Sequence, residues 1–346
     1  MSKPEKASRV NEFPKITIIT PSYNQGHFIE QTIQSVLNQK YPNLEYFVID
    51  GGSTDNTIDI IKKYEKEITY WVSEKDKGQS HAINKGLDKA TGDIINWLNS
   101  DDYYEPHTLF KVATAFNRGE HVKVVCGKSR LFNSKKTVGY SSGTDVYTDN
   151  LAKTIGWARI DQPETFFKAE VVKKMGLLDN RLHYLMDRDW WIKYLFLFGI
   201  KGVVKIPDIL VNFRHHDDSK TISQHEKFQV EHDTYYYALA RQFGLAKYAQ
   251  LIADNFEIND RFTVQIENEL DQKLLEESFN YYLLLRANEM YAQNQAPKAH
   301  HLLKEINLDL LAEEDQLLWK KLQFRSKYIP KPILNLWRST ISKIRR

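Results

Sequence analysis

The sequence is short of cysteine, of glycine-rich phosphate loops and of long apolar runs, and each shortage removes a class of function. A single cysteine, Cys126, in 346 residues excludes an internal disulfide and any thiolate cluster around a metal. It follows the apolar run "VKVV" and reads as a buried strand residue rather than a nucleophile. No stretch of 18 uncharged apolar residues occurs, so nothing reads as a membrane span. The polar first twenty residues, with Pro4 and Pro14, show no secretory signal, and the chain reads as cytoplasmic. Neither a G-x-G-x-x-G turn nor a P-loop is present, which argues against those two nucleotide-binding designs. Acidic residues are missing from Arg325 to Arg346, which holds seven Lys/Arg. The whole chain carries only +3, so the body is net acidic and is no nucleic-acid binder by charge.

What is present is a regular alternation. "KITIIT" is a β-branched run that ends in the turn-rich "PSYNQG", and "HFIEQTIQSVLNQ" then carries apolar residues at helical spacing. "LEYFVID" reads as a second strand, "GGSTDNTIDIIKKY" as a glycine turn into a second helix, and "ITYWVSE" as a third strand. "GQSHAINKGLDKA" reads as a third helix ahead of the apolar "IINWL". Four strands separated by three helices predict an α/β, doubly wound, mostly parallel sheet. In such sheets ligands gather at the carboxyl ends of strands, and Asp50 and Asp101 both terminate predicted strands. The abrupt polar stop "NSDD" (99–102) places two carboxylates side by side, which calls for compensation by a cap, a salt bridge or a divalent cation. From 106 to about 224 the pattern is mixed α+β, and beyond Ser223 strand signals vanish. "EESFNYYLLLRANEMYAQNQAPKAHHLLKEI" reads as a helical hairpin, with Ala287, Ala292 and Ala299 as close-approach positions, loosely like one tetratricopeptide unit.

"ITIITPSYNQGHFIEQTIQSVLNQKYPNLEYFVIDGGSTDNT", "EKDKGQSHAINKGLDKATGDIINWLNSDDYYEPHTL", "QPETFF", "YLMDRDWWIKYLFLFG" and "FRHHDDSKT" occur in the order found in inverting glycosyltransferases of family 2. The chain resembles that family over roughly 15–222, in a subgroup with N-S-D-D in place of D-x-D-D. The resemblance implies the GT-A fold: a leader 1–14, a glycosyltransferase domain 15–224 divided into a nucleotide-sugar half 15–105 and an acceptor half 106–224, a helical appendage 225–325, and a basic amphipathic tail 326–346. It implies a nucleotide-diphosphate sugar donor, a UDP-sugar in preference, and a divalent metal, Mn or Mg, as cofactor.

By the same resemblance Asp101 is a metal ligand, and the R-x-H spacing selects His216 over His215 as a second. Asn99 stands where the first aspartate of D-x-D usually lies. Pro21 and Tyr23 match positions that pack on the base, Asp50 the first carboxylate, well placed to accept from a base N–H, of an Asp-Asp-Gly pair whose second is here Gly51, and Asp76, Gly78 and Asn84 the donor-lining turn and helix. Asp187 matches the base that takes the acceptor's proton, with Met186 where a glutamate would stand and Asp189 as its rival. Gln162 and Glu164 are expected on the acceptor side, the acceptor being a glycan or a lipid-linked hydroxyl in surface polysaccharide or lipopolysaccharide assembly.

"SKYIPKPILNLWRSTISKIRR" suits either an interfacial helix, which would make the protein peripheral on the inner face of the cytoplasmic membrane, or a final helix packed on the body. Two other readings are weighed against the transferase. A sugar nucleotidyltransferase would open on a Gly-rich basic loop, which "ITPSYNQGHF" lacks. A non-catalytic scaffold of transferase descent would explain Gly51, Asn99 and Met186.

Overall fold

The computed structural model describes residues 13–133, 136–216, 224–268 and 270–329. Most of the leader 1–14 and of the basic tail 326–346 therefore lies outside the described residues. The chain divides into two compact units: residues to Asp145 together with Arg159–Phe228, and Val146–Ala158 together with Gln229 onward.

In the first unit β1 (Ile16–Ser22), β2 (Leu44–Asp50), β3 (Tyr70–Ser73) and β4 (Ile94–Trp97) pair in parallel, linked by α1 (Ile29–Leu37), α2 (Thr57–Lys63) and α3 (Gln79–Leu87). Every β1 and β4 residue is buried, as strands covered on both faces require. The register sets Ser22 opposite Asp50 and Asp50 opposite Ser73, so three strands run out together at one edge. The opposite edge is sealed by Glu45, whose carboxylate accepts from Thr17, Thr91 and Lys15.

Beyond β4 the sheet turns mixed, in the order β3-β2-β1-β4-β8-β6-β9-β5. It is completed by β5 (Tyr103–Tyr104), β6 (Val124–Asn133), β7 (Lys136–Tyr140, on β6), β8 (Thr165–Lys168) and β9 (Val203–Arg214). β6 pairs with β9 in parallel and with β8 antiparallel. α4 (Thr108–Phe116), α6 (Ala169–Met175) and α7 (Met186–Phe198) complete this unit. α7 buries Trp190, Trp191 and Tyr194, with Trp191 and Tyr194 stacked at 5.2 Å. The core beneath the first strands is aliphatic, built on Ile16, Ile18, Ile33, Val48 and Leu98.

The second unit is helical: α5 (Leu151–Trp157), α8 (His225–Gln242, from Gln229), α9 (Ala246–Asn255), α10 (Gln272–Ala292), α11 (Ala296–Lys304) and α12 (Glu313–Tyr328). α5 belongs with the helical unit, whereas the sequence pattern puts 146–158 in the acceptor half 106–224. Its Gly156 lies so close to α10 that a Cβ would stand 2.5 Å from the Ser278 carbonyl and 2.6 Å from the Tyr281 Cβ. Its Lys153 donates to Asp315 and Glu314 at 2.8–2.9 Å, and Asn150 to the Tyr281 hydroxyl. Ala287 and Ala299 are buried at the hairpin as expected, whereas Ala292 is exposed. Within the unit Arg286 and Tyr282 both bind the buried Asp233 at 2.8 Å.

α3 packs on β1 through Gly86, where a Cβ would stand 2.6 Å from the Ile19 side chain. Gly86→Ala gains helix propensity but overpacks that contact, and is expected to destabilise the unit by about 1–3 kcal/mol. Denaturant unfolding followed by circular dichroism checks it; a variant as stable as the parent or more so contradicts this packing.

Candidate active site

The loops leaving the open edge are zipped to one another. After β1, Asn24 adopts φ 51°, its amide N–H donates to Ser53 Oγ at 2.7 Å and its side-chain oxygen accepts from Thr54 N at 2.9 Å. Gln25 N donates to Thr57, and Gly26 N to Asp55. The chain can pass there because Gly26 has no side chain; a Cβ would overlap Asn56. Asp50 ends β2 fully buried, and its carboxylate accepts from Ser53 N and Oγ, Gly52 N and Ser73 Oγ at 2.5–3.0 Å. A carboxylate offers about four acceptor positions, so Asp50 is committed to its own turn. This corrects the expectation of a base contact from Asp50.

Asp76 takes the more open place. A Cβ on Gly51 would lie 2.6 Å from its Oδ2, so the absent side chain leaves room for the Asp76 carboxylate beside the β2 end. Asp76 Oδ1 also accepts from Gly78 N at 2.8 Å, shaping the turn into α3. Tyr23, 59% exposed at the end of β1, presents a free ring, while Pro21 is buried within the strand.

The "NSDD" turn is gripped from α1. Thr32 Oγ1, on the buried face of that helix, lies 2.9 Å from the Ser100 carbonyl and 2.6 Å from that of Asp102. Ser35 accepts from Tyr104 N and Gln39 binds Glu105 and Leu109, so one polar stripe holds residues 100–109. The two carboxylates part company. Asp102 is buried and accepts from Arg214 N at 2.9 Å. Desolvation, and then the charge of Asp101, push its carboxyl well above the usual range. Asp101 remains half-buried and meets His216, Oδ2 to Nε2 at 3.0 Å.

Arg214 joins these parts, and the sequence reading had assigned it no role. Its Nε donates to the Asp101 carbonyl at 2.9 Å, and its Nη2 to Gln31 of α1 at 2.7 Å. Its guanidinium lies 4.7 Å from the ring centres of both Phe28 and Phe132. Phe28 also contacts the His216 ring at 4.9 Å. The signal for it in the sequence is the R-x-H spacing, which marks the arginine as well as the histidine.

α3 ties the turn to α7. Gln79 Nε2 donates to Asn99 Oδ1 at 2.8 Å, and Ser80 Oγ lies 2.8 Å from Met186 Sδ. Met186, standing at the glutamate position, is thus a packing contact of α3. Asn84 is buried and spends its amide on Leu178 and Asn180, so it clamps the loop before α7 rather than lining an open cleft as expected. Asp187, in the first turn of α7, is half-buried and accepts from Arg188 N at 2.7 Å. Desolvation raises its carboxyl to about 6 despite the opposing Arg188 charge. The rival Asp189 is buried beside Lys193 at 2.8 Å.

Gln162 and Glu164 are enclosed, 3% and 1% exposed, which corrects their expected contact with an acceptor. Gln162 donates to Asn96 and to the Trp97 carbonyl, holding the end of β4. Glu164 accepts from Ser129 and Ser141; burial, reinforced by Asp161, pushes its carboxyl up to about 8.

Among the described residues no group of three or more His, Cys, Asp or Glu converges to hold a metal. The Asp101–His216 pair is the residue set that fits an ion: one hard oxygen and one imidazole nitrogen meet at a half-buried edge, a donor set suited to Mn or Mg with further oxygens from a ligand.

Residues 17–172 match the family model Glycosyl transferase family 2. A glycosyltransferase of Rickettsia typhi, itself uncharacterized, is 28% identical over 231 residues, 63% of this chain and 70% of that protein. TuaG of Bacillus subtilis, provisionally named a teichuronic acid biosynthesis glycosyltransferase, is 41% identical over 101 residues, 28% of this chain and 40% of that protein. Among solved structures, S. aureus TarS 1-349 in complex with UDP-GlcNAc superposes with a TM-score of 0.54 at 18% identity, covering 96% of this chain and 91% of that one. The chain spans 52% of the longer TarS chain. The mannosyltransferase PcManGT of Pyrobaculum calidifontis, in complex with GDP-Man and Mn2+, gives 0.53 at 17% identity, covering 97% and 91%. The fold is GT-A-like: an α/β domain with a mixed, curled sheet and a helical C-terminal region.

Arg214→Lys keeps the charge but loses the planar fork that lies beside Phe28 and Phe132. Replacing a group that orients a metal ligand costs about 10- to 100-fold in metal affinity. If the Asp101–His216 pair holds an ion, that loss is expected in Mn2+ titrations of the variant, at nearly unchanged melting temperature; wild-type Mn2+ affinity in the variant contradicts the role given to Arg214.

Proposed function

Taking residues 17–172 as a glycosyl transferase family 2 module, which the family match and the relatives support, we propose that this chain transfers a single sugar, with inversion, from a nucleoside-diphosphate sugar to a hydroxyl of a glycan or lipid-linked acceptor. The observation that carries this reading is the meeting of Asp101 and His216 where the parallel strands run out. A Mn or Mg ion held by those two residues would neutralise the departing diphosphate.

The remaining steps belong to the chain itself. The exposed Tyr23 ring offers a stacking face for a base, and the Asp76 carboxylate beside Gly51 accepts from a base N–H. Uracil N3–H and guanine N1–H both meet that requirement; we favour a UDP-sugar. Asn99, its oxygen held by Gln79, keeps its amide N–H donors for a ribose hydroxyl or a metal-bound water. Asp187 takes the proton of the acceptor hydroxyl. With a carboxyl near 6 it is ionised at neutral pH and still more basic than an ordinary aspartate, which suits a general base. The teichuronic acid assignment of one relative supports a place in surface polysaccharide assembly.

A panel of isotope-labelled nucleotide sugars with Mn2+ or Mg2+ tests this. Donor hydrolysis or transfer is expected, and Asp187→Asn should reduce it by about 10²- to 10⁴-fold while nucleotide binding persists. Equal turnover in variant and parent removes Asp187 from the reaction; nucleotide binding with no turnover in either favours the scaffold. Because the base acts ionised, kcat/KM should rise with pH through about 6 and level off above it. An acid limb that persists unchanged in the Asp187→Asn variant belongs to another group.

A further inference from the structure

α12 carries a face that the described residues of its own unit leave exposed. Leu317, Phe324 and Tyr328 are 53%, 57% and 59% exposed. They recur at intervals of seven and four residues, so they form one line along the helix. The opposite face fixes the helix in place: Asp315, Leu322 and Ser326 are buried, Trp319 donates to the Leu303 carbonyl at 2.8 Å, and Ser326 meets His300 at 3.1 Å. The exposed line is therefore not a frayed end.

Its flanks are cationic. At about 100° per residue, Lys320 and Lys327 border the line on one side, and Lys321 and Arg325 on the other. The three lysines are exposed. Lys327 Nζ lies 4.9 Å from the Tyr328 ring centre, and Phe324 and Tyr328 pack at 5.2 Å. From Gln316 to Arg346 the sequence contains no Asp or Glu. An apolar line bordered by long cationic side chains is the arrangement by which a helix lies in a lipid interface: the rings and Leu enter the acyl boundary while Lys stems extend to the headgroups.

We infer that the exposed face of α12, centred on Leu317, Phe324 and Tyr328 and bordered by Lys320, Lys321, Arg325 and Lys327, docks the protein on an anionic lipid surface. Charge selects this occupant. Two copies of α12 paired face to face would set lysine against lysine, whereas phosphate headgroups complement all four cations. The inference does not depend on the transferase reading, and it places the docking face on a described helix that runs from Glu313 into only the first residues of the tail sequence, to Tyr328.

Co-sedimentation of the full chain with phosphatidylcholine vesicles, with and without 30% phosphatidylglycerol, tests it. Binding is expected only to the anionic vesicles and should fall with added salt. Leu317→Glu with Phe324→Glu should weaken it at least about tenfold, and so should Lys320→Glu with Lys321→Glu. Circular dichroism and a melting curve on each variant separate lost docking from lost folding, and an alanine pair at Leu317 and Phe324 serves where the glutamates do not fold. Phe324→Trp adds a depth reading, with quenching by brominated acyl chains expected. Binding unchanged in both Glu pairs but abolished by truncation at Ile329 assigns docking to the tail and overturns the inference. So does concentration-dependent dimerisation that the Phe324 variant abolishes without any vesicle binding by the parent chain.

Discussion

The site depends on a contact between two residues 115 positions apart in the chain, Asp101 and His216, 3.0 Å from side chain to side chain. Neither could be placed by local structure alone. Asp101 sits in a turn after β4, and His216 just beyond the end of β9, on the far side of the sheet order. Arg214 brings them together by three different means: its backbone N–H to Asp102, its guanidinium to the Asp101 carbonyl and to Gln31, and its plane beside Phe28 and Phe132.

That arrangement also resolves the problem of two adjacent carboxylates. Were both held ionised in the same environment, they would repel one another at the point where the reading places a diphosphate. The fold separates them by burial: Asp102 is turned inward, where desolvation favours its neutral form, and Asp101 keeps the open position. Thr32 makes this possible by holding the turn's carbonyls from α1, and Gln79 extends the same order to Asn99. Around the site, Asp50, Asn84, Gln162 and Glu164 are enclosed polar groups, each hydrogen-bonded to neighbours of its own, Ser73, Leu178, Trp97 and Ser129 among them, and so hold the loops.

The first four strands and three helices were legible because hydrophobic period and turn residues agree there: "KITIIT" and "LEYFVID" are continuous apolar runs and each ends at a polar turn. The convergence of Asp101 and His216 was legible through family resemblance and motif order. What escaped the sequence has a common physical cause. Whether a polar residue faces a ligand or its own backbone depends on contacts made far along the chain. Asp50 and Asn84 carry the residue types of ligand contacts, but Ser73 and the loop 178–180 take up their hydrogen bonds. Thr32 lies at helical spacing with the apolar residues of α1 and is a clamp on the 100–102 turn. The excursion of α5 into the helical unit rests on Gly156 and Lys153 meeting residues more than a hundred positions later, and no local pattern encodes such a meeting.

Pulsed electron paramagnetic resonance of Mn2+ bound with UDP to the full chain tests the central contact most directly. Nitrogen coupling from one imidazole is expected in the parent, absent in His216→Ala, with Mn2+ binding itself lost in Asp101→Ala. Nucleotide-dependent Mn2+ binding that shows no imidazole nitrogen, or that survives Asp101→Ala unchanged, would contradict the account.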